Sequence, residues 1–128
     1  MTQPNPSTAE ARAIADELHR HGVTYAVISP GSRSAALAIA FDQHPEIQTR
    51  VVLDERSAAF HALGRARASE APTVAICTSG TALANCLPAV VEADLSLVPL
   101  IVISADRPPE MLHVGANQTI DQVKIFGH

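Results

Sequence analysis

The sequence predicts an open, doubly wound α/β domain, a parallel sheet with helices on both faces. Three observations predict it. Four short apolar runs, Tyr25 to Ile28, Val51 to Leu53, Thr73 to Cys77 and Pro99 to Ser104, do not alternate in polarity, as strands buried on both faces do not. Stretches of helical length, several rich in alanine, separate these runs, and each run passes through a short polar loop before the next stretch begins. With 128 residues, 47% of them hydrophobic and 17% charged, the chain has material for the core of one domain, 1–128, whereas disordered chains are poor in apolar residues. Its 22 alanines, 3% aromatic content and lack of Trp make that core aliphatic and closely packed.

Residues 1–6 read as a polar, Pro-containing lead-in. Ser7-Thr8-Ala9-Glu10 then has the spacing of a capping box, Ala11, Ile14, Ala15 and Leu18 recur at helical intervals, and Gly22 supplies a stop. The strand Tyr25 to Ile28 ends in Ser29-Pro30-Gly31-Ser32-Arg33-Ser34 and feeds a helix over Ala35 to Phe41. The same phrase recurs with Val51 to Leu53, the loop Asp54-Glu55-Arg56-Ser57 and a helix to about Ala68. It recurs again with Thr73 to Cys77, the loop Thr78-Ser79-Gly80-Thr81 and a helix to about Ala93, which Pro88 should kink. Pro99 to Ser104 ends in Ala105-Asp106-Arg107-Pro108-Pro109, and Gly115-Ala116-Asn117-Gln118 opens a last helical turn or two over Thr119 to Phe126.

Several functions are excluded. The net charge of −4 and the scattered arginines leave no basic stripe for nucleic acid. No apolar run approaches the roughly 20 residues that span a bilayer, and the start Met1-Thr2-Gln3-Pro4 is unlike a signal peptide. No membrane partner is expected, and the expected location is cytoplasmic. Cys77 and Cys86 lack CxxC spacing and fall among apolar neighbours, which predicts buried, reduced thiols. The fingerprints of dinucleotide binding, P-loop hydrolysis and the α/β-hydrolase elbow are missing. The six histidines show no metal-binding spacing on a helix, so no metal site is expected within this segment.

In a parallel sheet, ligands bind outside the carboxyl ends of the strands. All four strand-to-helix loops should therefore converge on one rim. Glu55 is the most informative acid, because it stands at a strand end, near apolar walls, at a helix N-terminus. Burial would raise its pKa, whereas the helix terminus and Arg56 would lower it. Asp54 can cap the helix, which leaves Glu55 spare.

Read together, the Ser29–Ser34 loop, Asp54-Glu55-Arg56, Thr78-Ser79-Gly80-Thr81-Ala82 with Asn85, Ala105-Asp106-Arg107-Pro108-Pro109-Glu110 and Gly115-Ala116-Asn117-Gln118 resemble one family. It is the 2-succinyl-5-enolpyruvyl-6-hydroxy-3-cyclohexene-1-carboxylate synthases, thiamine-diphosphate enzymes of menaquinone biosynthesis, and the resemblance runs from about residue 8 to the end. The strand-end Glu and the Thr-Ser-Gly loop are shared by many thiamine-diphosphate enzymes; the other segments are much more specific to this synthase. The resemblance implies that the chain is the N-terminal pyrimidine-binding domain of a longer protein, inactive alone. The diphosphate and Mg2+ would be held by a later domain with a Gly-Asp-Gly motif, which does not occur here. The parent would be a homodimer or homotetramer acting on 2-oxoglutarate and isochorismate. By the same resemblance Glu55 is catalytic and cofactor-binding, through a hydrogen bond to the aminopyrimidine ring nitrogen that favours its imino tautomer. Thr78, Ser79 and Gly80 would also bind the cofactor. Arg33 and Arg107 would fork onto substrate carboxylates, with Ser32, Asn117 and Gln118 adding neutral hydrogen bonds. Without the resemblance, both arginines read as surface ion pairs with Asp106, Glu110 or a neighbour. Two alternatives stay open: another thiamine-diphosphate 2-oxo acid decarboxylase or carboligase, and a non-catalytic module that binds a small anion.

Overall fold

Four strands, β1 (Tyr25–Ile28), β2 (Gln48–Val51), β3 (Thr73–Cys77) and β4 (Leu100–Ser104), pair in the order β2-β1-β3-β4 and all run parallel. The structure, a computed structural model, describes residues 5–127. The expected fold class is borne out. Helices make the crossovers: α1 (Pro6–Arg20) leads into β1, then come α2 (Ala35–Asp42), α3 (Glu55–Ser69) and the pair α4 (Thr81–Asn85) and α5 (Leu87–Leu95).

Both faces of the sheet are covered. Ala26, Ile28, Val74 and Ile76 pack with Ala15 of α1 and Phe41 of α2. One residue on along the strands, Val27 and Ala75 pack against Ala58 and Ala62 of α3, and Cys77 packs with Ala59, Leu83 and Ala89 of α3, α4 and α5. This is why the strands read as continuous apolar runs, most clearly β3, where all five residues are buried. The small alanines on the inner faces of the helices let helix and sheet backbones approach closely. Among the described residues no helix is long and apolar enough to cross a membrane. Cys77 and Cys86 are buried and free, as expected.

Four local expectations are corrected. The capping box at Ser7 to Glu10 does not form, because Pro6, whose fixed φ suits a first helical position, starts α1 earlier. Asn5 is the N-cap, its side chain accepting from the Ser7 N–H at 3.1 Å. The second strand lies at Gln48–Val51 rather than Val51 to Leu53, since its register is fixed residue for residue by the four positions of β1. It is an edge strand and mostly exposed, so its sequence is polar, and the apolar run is the exit from the strand, with Leu53 80% exposed. The expected kinked helix is two helices that meet at Cys86, because the Pro88 ring cannot follow the Ala84 carbonyl within one helix and is instead placed in the first turn of α5. The last helix over Thr119 to Phe126 is absent. After a 3-10 turn at Pro109–Met111 the chain runs in turns, with His113, Gly115, Gln118 and Lys124 at positive φ, which a right-handed helix cannot contain.

Candidate functional site

Parallel strands bring every strand-to-helix loop to one rim, and the order β2-β1-β3-β4 puts the topological switch point between β1 and β3. The loops after these two strands meet there. Ser29 stitches β1 to both neighbours, its N–H donating to the Ile76 carbonyl at 2.8 Å and its Oγ to the Val52 carbonyl at 2.9 Å. A Cβ at Gly31 would fall 2.4 Å from Thr78 Cβ, so this approach is possible only for glycine. Ser34, fully buried, donates to the Gly31 carbonyl at 3.2 Å and holds the loop down.

Thr78, Ser79 and Gly80 form the turn from β3 into α4, all buried. Gly80 has φ 81 and ψ −140, a region closed to other residues. Residues 117–122 lie across this turn. Ser79 Oγ donates to the Gln118 carbonyl at 2.9 Å, Gln118 Nε2 donates back to the Ser79 carbonyl at 3.2 Å, and the Gly80 N–H donates to Gln122 Oε1 at 2.9 Å. Gln122 Nε2 in turn donates to the Ala105 carbonyl at 3.1 Å, at the end of β4.

Both arginines reach this segment. Arg33 donates to Gln118 Oε1 at 3.3 Å, and Arg107 donates to the Asn117 carbonyl at 2.9 Å. Among the described residues neither guanidinium is in an ion pair, and Asp106 accepts instead from the Arg107 backbone N–H at 2.7 Å. Among the described residues Arg107 Nε and Thr78 Oγ1 are buried without a hydrogen-bond partner. Two cationic forks on one rim, one with a buried donor unspent, suit a ligand carrying carboxylates.

Glu55 opens α3. Asp54 takes the cap, accepting from the Ser57 N–H at 2.8 Å, and that hydrogen bond holds the Asp54 carboxyl below its usual range. The half-buried Glu55 carboxyl makes no hydrogen bond or ion pair among the described residues, the division of labour expected from the sequence. At the end of β3 the interaction with Cys86 and then burial push the Cys77 thiol up, with Glu55 the smallest contributor, while the interaction with Cys77 lowers Cys86.

The structure thus gathers Arg33, Arg107, Asn117, Gln118, Thr78, Ser79 and Gly80 around one rim, with Glu55 beside the end of β3. Ser32 is exposed and makes no hydrogen bond among the described residues. Asn117 offers its backbone carbonyl rather than its amide, and the Gln118 amide is already shared between Arg33 and Ser79. Sequence reasoning gave Ser29 and Gly31 no separate role within the loop that carries the resemblance, and it missed Gln122. A glycine in a strand-to-helix loop can signal close backbone approach, whereas nothing in the sequence marks Gln122.

The family "Thiamine pyrophosphate enzyme, N-terminal TPP binding domain" matches residues 9–125. The chain belongs to this family. Similar proteins include the 2-succinyl-5-enolpyruvyl-6-hydroxy-3-cyclohexene-1-carboxylate synthases of Acaryochloris marina, 60% identical over 90% of this chain and 20% of the relative, and of Thermobifida fusca, 58% identical over 96% and 22%. That of Natronomonas pharaonis is 54% identical over 99% and 22%. The chain spans about a fifth of the length of these curated relatives. For a TPP binding domain, two groups of the rim suit a heteroaromatic ring: among the described residues the Glu55 carboxyl has no hydrogen-bond partner and could share a proton with a ring nitrogen, and the buried Thr78 Oγ1 has none either. Among the described residues no group of three or more His, Cys, Asp or Glu is placed to hold a metal ion.

Proposed function

We propose that this chain is the N-terminal pyrimidine-binding domain of a longer 2-succinyl-5-enolpyruvyl-6-hydroxy-3-cyclohexene-1-carboxylate synthase. That enzyme would decarboxylate 2-oxoglutarate and add the resulting acyl unit to isochorismate in menaquinone biosynthesis. The observation that carries this reading is a half-buried Glu55 at the exit of β2, on the strand-end rim that also carries Arg33 and Arg107, with none of the three in an ion pair among the described residues. The names of relatives at 54–60% identity support it.

Thiamine diphosphate, when bound, supplies the carbon at which a 2-oxo acid can lose carbon dioxide. The residues of this chain orient and protonate. Glu55 would hold a proton at the pyrimidine ring nitrogen. Thr78, Ser79 and Gly80 would form the wall against which the ring lies, with Thr78 Oγ1 as a polar contact. Arg33 and Arg107 would take the carboxylates of isochorismate, with Ser32, Asn117 and Gln118 completing the polar lining. Mg2+ and the diphosphate fall to residues beyond this segment. A homodimer or homotetramer in the cytoplasm completes the proposal.

The test uses the full-length protein. Glu55→Gln is expected to leave the fold intact and to lower turnover by about a hundred- to ten-thousand-fold, the usual worth of a positioned proton donor. Retained activity would remove Glu55 from the chemistry. Arg33→Ala and Arg107→Ala are expected to raise the KM for isochorismate. Consumption of 2-oxoglutarate that never depends on isochorismate would indicate a different decarboxylase.

A further inference from the structure

We propose that Gln122 is a positioning residue: by strapping residues 117–122 across the ends of β3 and β4, it sets the spacing of the Arg33 and Arg107 guanidinium groups and so the fit of a substrate with two carboxylates. This rests on the reading above of the two arginines as carboxylate receivers.

The strap contains neither helix nor strand, so no backbone ladder holds it. Side chains do. One end is fixed by the reciprocal pair between Ser79 and Gln118, at 2.9 and 3.2 Å. The other is held by Gln122, whose amide accepts from the Gly80 N–H at 2.9 Å and donates to the Ala105 carbonyl at 3.1 Å and to Ser104 Oγ at 3.4 Å. One side chain therefore joins the turn after β3 to the end of β4, pairing two backbone groups that would otherwise need water. The fit is close, because a Cβ at Gly80 would meet the Gln118 carbonyl oxygen at 2.9 Å.

The two arginines rest on consecutive residues of this strap, Arg107 on the Asn117 carbonyl and Arg33 on the Gln118 amide. Each contact uses one of five guanidinium N–H donors and leaves the rest for a ligand. Their separation is consequently set by the strap. If it lifts, both forks become free to swing, and a rigid substrate with two carboxylates no longer finds them prearranged.

The test is made in the full-length enzyme. Isochorismate is titrated calorimetrically without 2-oxoglutarate, so that nothing turns over, and the Kd for thiamine diphosphate is measured separately. Gln122→Ala is expected to weaken isochorismate by roughly 10- to 100-fold, the scale of a 1 Å misplacement, and to weaken thiamine diphosphate clearly less, because among the described residues Gln122 meets the proposed cofactor wall only at the Gly80 N–H. Gln122→Glu keeps an acceptor for Gly80 but sets a carboxylate against the Ala105 carbonyl. Protonation restores the lost donor, so the isochorismate Kd of this variant, relative to wild type at each pH, should recover as pH falls from about 7 towards about 5, approaching the ordinary carboxyl range. A merely structural glutamine would give a lower Tm with no such recovery. Unchanged isochorismate affinity in folded Gln122→Ala, equal weakening of both ligands, or a Gln122→Glu defect that ignores pH would overturn the proposal. Arg33→Ala and Arg107→Ala, titrated alongside, separate the two readings. If they leave isochorismate affinity unchanged, the arginine reading fails; if they weaken it and the Gln122 variants do not, only the strap inference fails.

Discussion

Single residues at the rim act mainly by closeness. Gly31 shows how: its φ is not positive, so backbone freedom is not the reason for glycine here, and what excludes a side chain is Thr78, with Cβ, Oγ1 and Cγ2 at 2.4, 2.8 and 2.9 Å from the position a Cβ would take. Thr78 cannot yield easily, because it is buried at the end of the central strand β3. Gly31→Ala must therefore push the loop of β1 off β3, and overpacking of this kind typically costs about 1–3 kcal/mol. Denaturant unfolding is expected to show that loss, with Gly64→Ala, where nothing lies within 4 Å of the new Cβ, losing nothing. The roles of Asp54 and Glu55 could be read from sequence because an acid pair at a strand-to-helix junction has only a few tasks. Gln122 was not legible, since its amide serves backbone groups 17 and 42 residues away, and no periodicity records such a partnership.

At the level of elements, legibility followed burial. β3 and α3 came out where the sequence put them, because both faces of one and the inner face of the other are buried and their composition answers to that. β2 was shifted because an edge strand is specified by its ladder to β1 and not by its own polarity. Thr119 to Phe126 read as helix in the sequence because their pattern carries no mark of the positive φ at Lys124, or at Gln118 just before them. The start of α3 gives a test with a definite sign. Ser57 bonds the ionised form of Asp54 and holds its pKa below the ordinary 3.8, so this carboxylate stabilises the fold above that value and the contribution is lost as pH falls through the lowered one. Asp54→Ala is expected to lower Tm at neutral pH, with the difference from wild type shrinking in acid. Asp54→Asn, which still caps, should show little loss at neutral pH. Thermal melts from neutral to acid pH check both, and a deficit for Asp54→Ala that persists unchanged in acid would put the effect elsewhere.

Across the whole molecule the two edges of the sheet differ. β2 presents Gln48, Thr49 and Arg50, residues that discourage pairing with another sheet. β4 is Leu-Ile-Val-Ile-Ser, hydrogen-bonded to β3 on one side only and half-buried throughout, a sequence suited to a strand with neighbours on both sides. Beside it a cavity of about 310 Å³ opens between α5 and β4, lined by Val90, Ala93, Asp94, Leu97, Val98 and Leu100, and none of the rim residues lines it. Leu97, which lines it, and Leu95 at the end of α5 are 90% and 76% exposed, large apolar side chains open to solvent near this edge. The 128-residue chain on its own should bury this surface against other copies. Sedimentation velocity is expected to show association that grows with concentration and weakens in Leu97→Lys, since a charge at an apolar edge opposes pairing. Leu53→Lys, at the exit of β2 and equally conspicuous at 80% exposed, should leave association unchanged. If both variants act alike, association follows total exposed apolar area and not the β4 edge; if the wild-type chain sediments as a monomer throughout, this face is protected in a way its composition does not reveal.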